Sequence, residues 1–240
     1  STLFSGITWR DLGVPYRVTG DVLVSGGPPA VLTVLDGVVA TFDPGVHLRV
    51  GTAGSAGRLD VQGSLAEGVS FGSSQPVPDH GDWAGITLGA DDAGSTLVWL
   101  DLGYAGSNSY GNLYANGASP VLNNVTSHHS STSGMYVSGD AARPLIAHST
   151  FSVNYADGVF IADTAGLNEV APPTFVGNTL SGNTGSGIAL PANDFVEFYA
   201  AAAKLVTDDP ITDPGLICME NAPGDGGFEV QEEFDRVDEG

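Results

Sequence analysis

An all-β chain wound as a parallel solenoid is predicted by three observations. First, three segments align without a gap: PVLNNVTSHHSSTSGMYV from Pro120, PLIAHSTFSVNYADGVFI from Pro144 and PTFVGNTLSGNTGSGIAL from Pro173. In each, a proline stands fourteen residues before a glycine, and Gly134, Gly158 and Gly187 each open an apolar-x-apolar triplet. The repeats begin 24 and then 29 residues apart, the spacing of stacked arrays. Second, each unit offers only short runs of alternating apolar residues, too short for a helical hairpin and suited to short strands. Third, Gly, Asn, Ser and Asp separate the runs, and these residues tolerate tight turns and positive φ. A unit of this size cannot bury its own apolar face, so it must stack on its neighbours. Stacked strands lie about 4.8 Å apart, and like side chains then form ladders. Thr126, Thr150 and Thr179 fall in one column, Ser130, Asn154 and Asn183 in another, and Leu122, Ile146 and Phe175 in a third. The expected fold is a single-stranded parallel β-helix.

Residues 1–15 (STLFSGITWRDLGVP) are expected to lead into the solenoid and cap it. Trp9, Leu12 and Val14 would lie over the open first coil, because an uncovered coil end exposes unpaired strand edges. From Tyr16 the strand-like runs are YRV, DVLV (21–24), VLTVL (31–35), VVATF (38–42), HLRV (47–50), RLDV (58–61) and VSF (69–71). Turn-formers separate them, among them Gly26-Gly27-Pro28-Pro29, Asp36-Gly37 and Asp43-Pro44-Gly45. These early coils read as less regular than the later three, and the solenoid is expected to span 16–192. NDFVEFYAAAAKL (193–205) then predicts a short capping helix. Asn193 or Asp194 would be its N-cap, Lys204 would lie in its last turn, and Phe195, Phe198, Tyr199 and Leu205 would form its apolar stripe. Residues 206–240 form an acidic tail in which ITDPGLICM and FEV keep enough apolar character to dock. The tail would cover its own last coil or lend a strand to a neighbour. In the second case a homo-oligomer or a head-to-tail filament results.

The whole-chain numbers agree. With 240 residues and 42% hydrophobic content the chain can bury a substantial core. The 34 glycines carry no collagen period and suit turns. No apolar run is long enough to span a bilayer. The sequence starts at Ser1 without a signal peptide, as a processed chain would. Cys218 is the single cysteine, which leaves no intramolecular disulfide. Seven Lys plus Arg face 28 Asp plus Glu, a formal net charge of −21. Such a chain repels nucleic acid and anionic membranes, both of which are bound through Lys and Arg. The same charge disfavours an acidic polysaccharide as substrate and favours solubility.

The order YRVTGDVLV, LTVLDGVVATFDPG, LRVG, a strand ending at Phe71 and then GDWAGITLG resembles the N-terminal half of secreted bacterial right-handed β-helix repeat proteins, within the pectate-lyase-like solenoid superfamily. In that group a Trp-x-Gly-Ile step, here Trp83, Gly85 and Ile86, precedes a coil like STLVWLDLGYAG (95–106), and Pro-x-apolar coils follow. The resemblance covers about residues 16–192. It implies a right-handed solenoid and a secreted or cell-surface location, and it spans adhesins and carbohydrate-active enzymes alike. Fold alone does not choose between these. Pectin-hydrolysing members carry an Asn-Thr-Asp triplet, an Asp-Asp pair, a Gly-His step and an Arg-Ile-Lys triplet; this sequence has only the pair, Asp91-Asp92, in another context. Lyase-like members use Arg or Lys beside calcium, and here Arg143 alone lies within the regular coils.

Two loops and one set of aromatic residues are the candidate sites. GSSQPVPDHGD (72–82) and GADDAG (89–94) are the longest polar interruptions, and loops on one face of a solenoid are where binding is built. Asp79, Asp82, Asp91 and Asp92 could act as acid and base in glycoside hydrolysis, could ligate calcium, or could simply shape solvated turns. Trp99, Tyr104, Tyr110, Tyr114, Tyr136 and Tyr155 fall in consecutive coils, where exposed rings would stack on sugars. Trp99 should face opposite to Val98 and Leu100, and the neighbours His128 and His129 should point to opposite faces, which would make them a poor chelating pair. No Ser-His-Asp arrangement, Walker loop or dinucleotide fingerprint occurs. Three readings follow. The leading one is a non-catalytic extracellular structural or adhesive module that binds a polysaccharide or cell-surface glycan. The others are a carbohydrate-active enzyme using carboxylates near 79–92 and a self-assembling filament subunit.

Overall fold

The computed structural model describes residues 2–3, 6–52, 54–162, 164–167, 175–191 and 217–220. These residues form three parallel sheets, and no helix occurs among them. The helix expected over 193–205 lies outside the described residues, as does most of the tail.

The chain visits the three sheets in rotation. Val22–Val24, His47–Val50, Gly85–Leu88, Leu113–Asn116, Met135–Ser138, Val159–Ile161 and Ile188–Pro191 stack in the first sheet, with Thr2–Leu3 at one edge and Ile217–Glu220 paired onto Ile188–Pro191 at the other. Ile7–Trp9, Ala30–Leu35, Gly57–Gln62, Thr96–Val98, Val121–Asn123, Leu145–Ala147 and Phe175–Val176 stack in the second. Tyr16–Val18, Val39–Phe42, Val69–Ser73, Leu100–Gly103, Thr126–His128, Thr150–Ser152 and Thr179–Ser181 stack in the third. Each run read as a strand between Tyr16 and Phe71 therefore forms one, and the early coils join the same three sheets as the later ones. The fold is all-β, a parallel solenoid with every described pair parallel, as the sequence predicts.

The repeat columns are ladder positions. Leu122, Ile146 and Phe175 are paired in register and point inward, all of them buried. Thr126, Thr150 and Thr179 are paired on the outer side of the third sheet. The Asn column is an internal hydrogen-bond chain. Ser130 N donates to Asn154 Oδ1 at 2.9 Å, and both Asn154 N (3.1 Å) and Asn154 Nδ2 (2.8 Å) donate to Asn183 Oδ1. The glycine column permits this close approach, because a Cβ on Gly134 would stand 2.8 Å from Asn154 Nδ2 and from the Gly158 carbonyl. Residues 2–18 supply a strand to each sheet. Trp9 stacks on Tyr16 at 5.3 Å and meets Phe71 at 6.2 Å, whereas Leu12 and Val14, expected over the first coil, are 63% and 65% exposed.

Left-handed residues make the corners. Trp99, Asn124, His148 and Gly177, at φ of 50°, 56°, 51° and 66°, turn the chain from the second sheet to the third. Tyr104, His129, Val153 and Gly182, at φ of 65°, 52°, 55° and 65°, turn it out of the third. Strand alternation stops at such a residue, and this corrects two expectations. Trp99 does not simply oppose Val98 and Leu100: Leu100 is buried while Val98 and Trp99 are both half-buried. His128 and His129 are also not splayed apart, because the corner at His129 turns its ring back toward His128.

Candidate functional site

The four candidate carboxylates serve two separate turns. Asp82 accepts hydrogen bonds from Ser73 Oγ (2.5 Å) and Asp79 N (2.9 Å), which close the 72–82 loop. Asp79 Oδ1 accepts from the backbone N–H of His80 at 2.8 Å and lies 3.2 Å from its Nδ1. These bonds, the backbone one foremost, hold the Asp79 carboxyl below the usual carboxylate range. Asp92 caps its own turn through Ser95 N (3.0 Å) and Ser95 Oγ. Asp91 is tied in through its main chain to Gly51 and Gly57. The two pairs lie beyond opposite ends of the strand Gly85–Leu88. Among the described residues, no group of three or more His, Cys, Asp and Glu side chains is arranged to hold a metal ion.

The aromatic candidates separate into three places. Tyr114 and Tyr136 occupy one outward column of the first sheet, in register with Thr87 on one side and Phe160 on the other. Tyr110, on the loop before that sheet's strand, stacks face to face on Tyr114 at 4.1 Å and 10°. Tyr136 meets Tyr114 edge-on at 5.5 Å and stacks on Phe160 at 4.7 Å. Tyr114 Oη lies 2.9 Å from Ser138 Oγ, which fixes its tilt. Four rings thus form a continuous stripe across three coils, and Tyr110 is 41% exposed. The polar end of the stripe is built from Thr87, His47, Arg49 and Asp21. His47 Nε2 contacts Thr87 Oγ1 at 2.8 Å, Arg49 donates to His47 Nδ1 at 3.2 Å, and Arg49 pairs with Asp21 at 3.1 Å. Burial first, and then the Arg49 charge, push the His47 pKa down to about 4.

Tyr104 and Tyr155 belong to a different cluster, at the corner after the third sheet. Tyr104 stacks on His129 at 5.0 Å and meets the edge of His128 at 5.4 Å. His80 stacks on Tyr155 at 3.7 Å and 9°, and lies 5.1 Å from His129. Desolvation, and then the neighbouring His128 and His80, hold the His129 pKa below its ordinary value. Trp99 joins neither group; it turns the corner between the second and third sheets, beside Gly63 and Gly68.

Sequence reasoning misses Phe160, although a signal for it exists. Tyr136 and Phe160 both stand two residues after the repeat glycine, at Gly134 and Gly158. The histidine cluster leaves no comparable signal, since His80 comes from a loop two coils away from His129.

A family model described as "Right handed beta helix region" matches residues 93–201. This agrees with the three-sheet architecture and with a right-handed β-helix repeat protein. Neither the curated proteins nor the solved structures gave a match. No helix among the described residues is long and apolar enough to cross a membrane.

Proposed function

We propose that the chain is a non-catalytic, secreted or cell-surface module that holds a neutral glycan on the outer face of its first sheet. The observation that carries this reading is the stripe of Tyr110, Tyr114, Tyr136 and Phe160, placed in register by the coil stacking. Apolar rings with polar edges suit the faces and hydroxyls of sugars. The coil spacing, about 4.8 Å, is comparable to the length of one pyranose in an extended chain. The net charge of −21 favours a neutral ligand over an acidic one. The turn roles of Asp79, Asp82 and Asp92 support a reading without turnover, because these oxygens already accept bonds that shape their loops.

Affinity electrophoresis through gels containing soluble neutral or acidic polysaccharides tests the proposal. Retardation is expected on at least one neutral polymer and absent on polygalacturonate. Tyr136→Ala should weaken retention about tenfold, the value of one lost ring contact of about 1.4 kcal/mol. Release of reducing ends from any polymer, or retention unchanged in both Tyr110→Ala and Tyr136→Ala, would overturn the reading.

A further inference from the structure

The corner cluster contains a pair of imidazole nitrogens whose arrangement aromatic packing does not explain. His128 Nε2 lies 3.0 Å from Asp101 Oδ1. An ionised carboxylate only accepts, so the proton of neutral His128 sits on Nε2 and its Nδ1 carries a bare lone pair. That lone pair accepts a hydrogen bond from His129 Nδ1–H, 2.7 Å away. A carboxylate behind one imidazole nitrogen, with the other nitrogen presented forward, is the arrangement that orients metal-ligating histidines.

Local backbone features hold both rings in place. A Cβ on Gly103 would stand 2.4 Å from His128 Cε1, so glycine there lets the ring lie along the strand and reach Asp101. The left-handed φ of 52° at His129 turns its ring toward His128. Tyr104 and His80 then wall in His129. Asp101 is 55% exposed and His128 16%, so the carboxylate behind the ring meets solvent.

We propose that His128 Nδ1 and His129 Nδ1 form a bidentate site for a divalent transition cation of the Ni²⁺, Cu²⁺ and Zn²⁺ class. Two nitrogens bound at about 2.05 Å in neighbouring positions of a square or octahedron stand about 2.9 Å apart, close to the 2.7 Å found here. Square and octahedral nitrogen sites suit Cu²⁺ and Ni²⁺, and imidazole is a ligand that these ions and Zn²⁺ accept. On binding, His129 exchanges its Nδ1 proton for one on Nε2, so no net proton is released. Water completes the shell, since no third His, Cys, Asp or Glu side chain among the described residues joins the pair. Asp101 positions His128 and does not touch the cation.

Calorimetric titration of Ni²⁺ into the full chain tests this. A Cys218→Ser background removes the single thiol, and millimolar calcium saturates the acidic surface. A one-site isotherm in the micromolar range is expected. It should vanish in His129→Asn, which tolerates the left-handed backbone, and in His128→Gln. Asp101→Asn should weaken it about tenfold, and His148→Asn should leave it unchanged. Far-ultraviolet circular dichroism checks that each variant keeps its sheet, and if His128→Gln does not fold, His129→Asn decides alone. No saturable heat below millimolar Ni²⁺, an unchanged isotherm in His129→Asn, or displacement by calcium would overturn the proposal.

Discussion

The two halves of the solenoid solve one packing problem with different chemistry. Between Val18 and Trp83 the interior is mainly aliphatic and aromatic, with Ser25 and Ser73 as its buried polar side chains. Phe42 stacks on Trp83 at 4.1 Å and meets Phe71 edge-on at 5.5 Å, with Leu32, Leu48 and Leu59 fully buried nearby. From Ser95 onward, buried amides and hydroxyls line the inner corners. Asn112 alone accepts from Ala105 N at 2.9 Å and donates to the carbonyls of Leu102 (3.2 Å) and His128 (2.9 Å). Asn178 repeats the device at another corner, with Ser149 N at 2.9 Å and the Ile146 carbonyl at 3.0 Å. An apolar interior asks only for volume, and many residues supply it. A polar interior asks for particular partners, because an unpaired buried group is expensive.

The largest expected effect that sharpens this contrast comes from the front half. Trp83→Ala would open the stack on Phe42 and take the Trp83 Nε1 donor, at 2.9 Å, from the Gly103 carbonyl. A loss of about 3–5 kcal/mol is expected in urea unfolding. Asn112→Ala should follow at about 2–3 kcal/mol, since it strips the buried Ala105 N–H of its acceptor and removes one donor from each of the Leu102 and His128 carbonyls. The sharper test compares shape-conserving changes. Leu48→Met should cost under about 1.5 kcal/mol. Asn154→Leu, similar in size, should cost about 2 kcal/mol by stranding the Ser130 N–H. Equal losses in these two variants would mean that the polar ladder gives no more specificity than a well-filled core.

The same contrast explains what is legible in the sequence. The back coils announce themselves because Asn154 must face Asn183, and Gly134 and Gly158 must leave room for their neighbours, so identities recur in register. The front coils show no repeat, yet YRV, HLRV and VSF are still readable as strands through alternation alone. The corners are the places where reading fails. Trp99 and His129 have ordinary side chains on left-handed backbone, and nothing in composition distinguishes them from strand residues. The aromatic stripe is half legible for the same reason. Tyr114 and Tyr136 share a ladder with Phe160, while Tyr104 and Tyr155, equally plausible by spacing, sit around the corner with the histidines.

The smallest expected effect separates the halves by titration. The buried amides and hydroxyls at the back carry no charge near neutral pH, whereas the front half holds His47 on its outer face with a pKa of about 4. In the unfolded chain this imidazole takes its proton near pH 6.5. As pH falls through 6.5 the unfolded state therefore gains a proton that the folded state refuses, and stability declines until pH nears 4, where both states bind it. His129, whose pKa is also held down, adds a contribution of the same sign from the corner cluster. His47→Gln should keep stability at pH 7 nearly unchanged, because an amide can still meet Thr87, and should flatten the decline between pH 6.5 and 4. Urea midpoints across that window check it. A variant that keeps the wild-type slope would move the pH dependence away from the front half, toward His129 in the corner cluster and Asp157, whose carboxyl burial holds above its ordinary range.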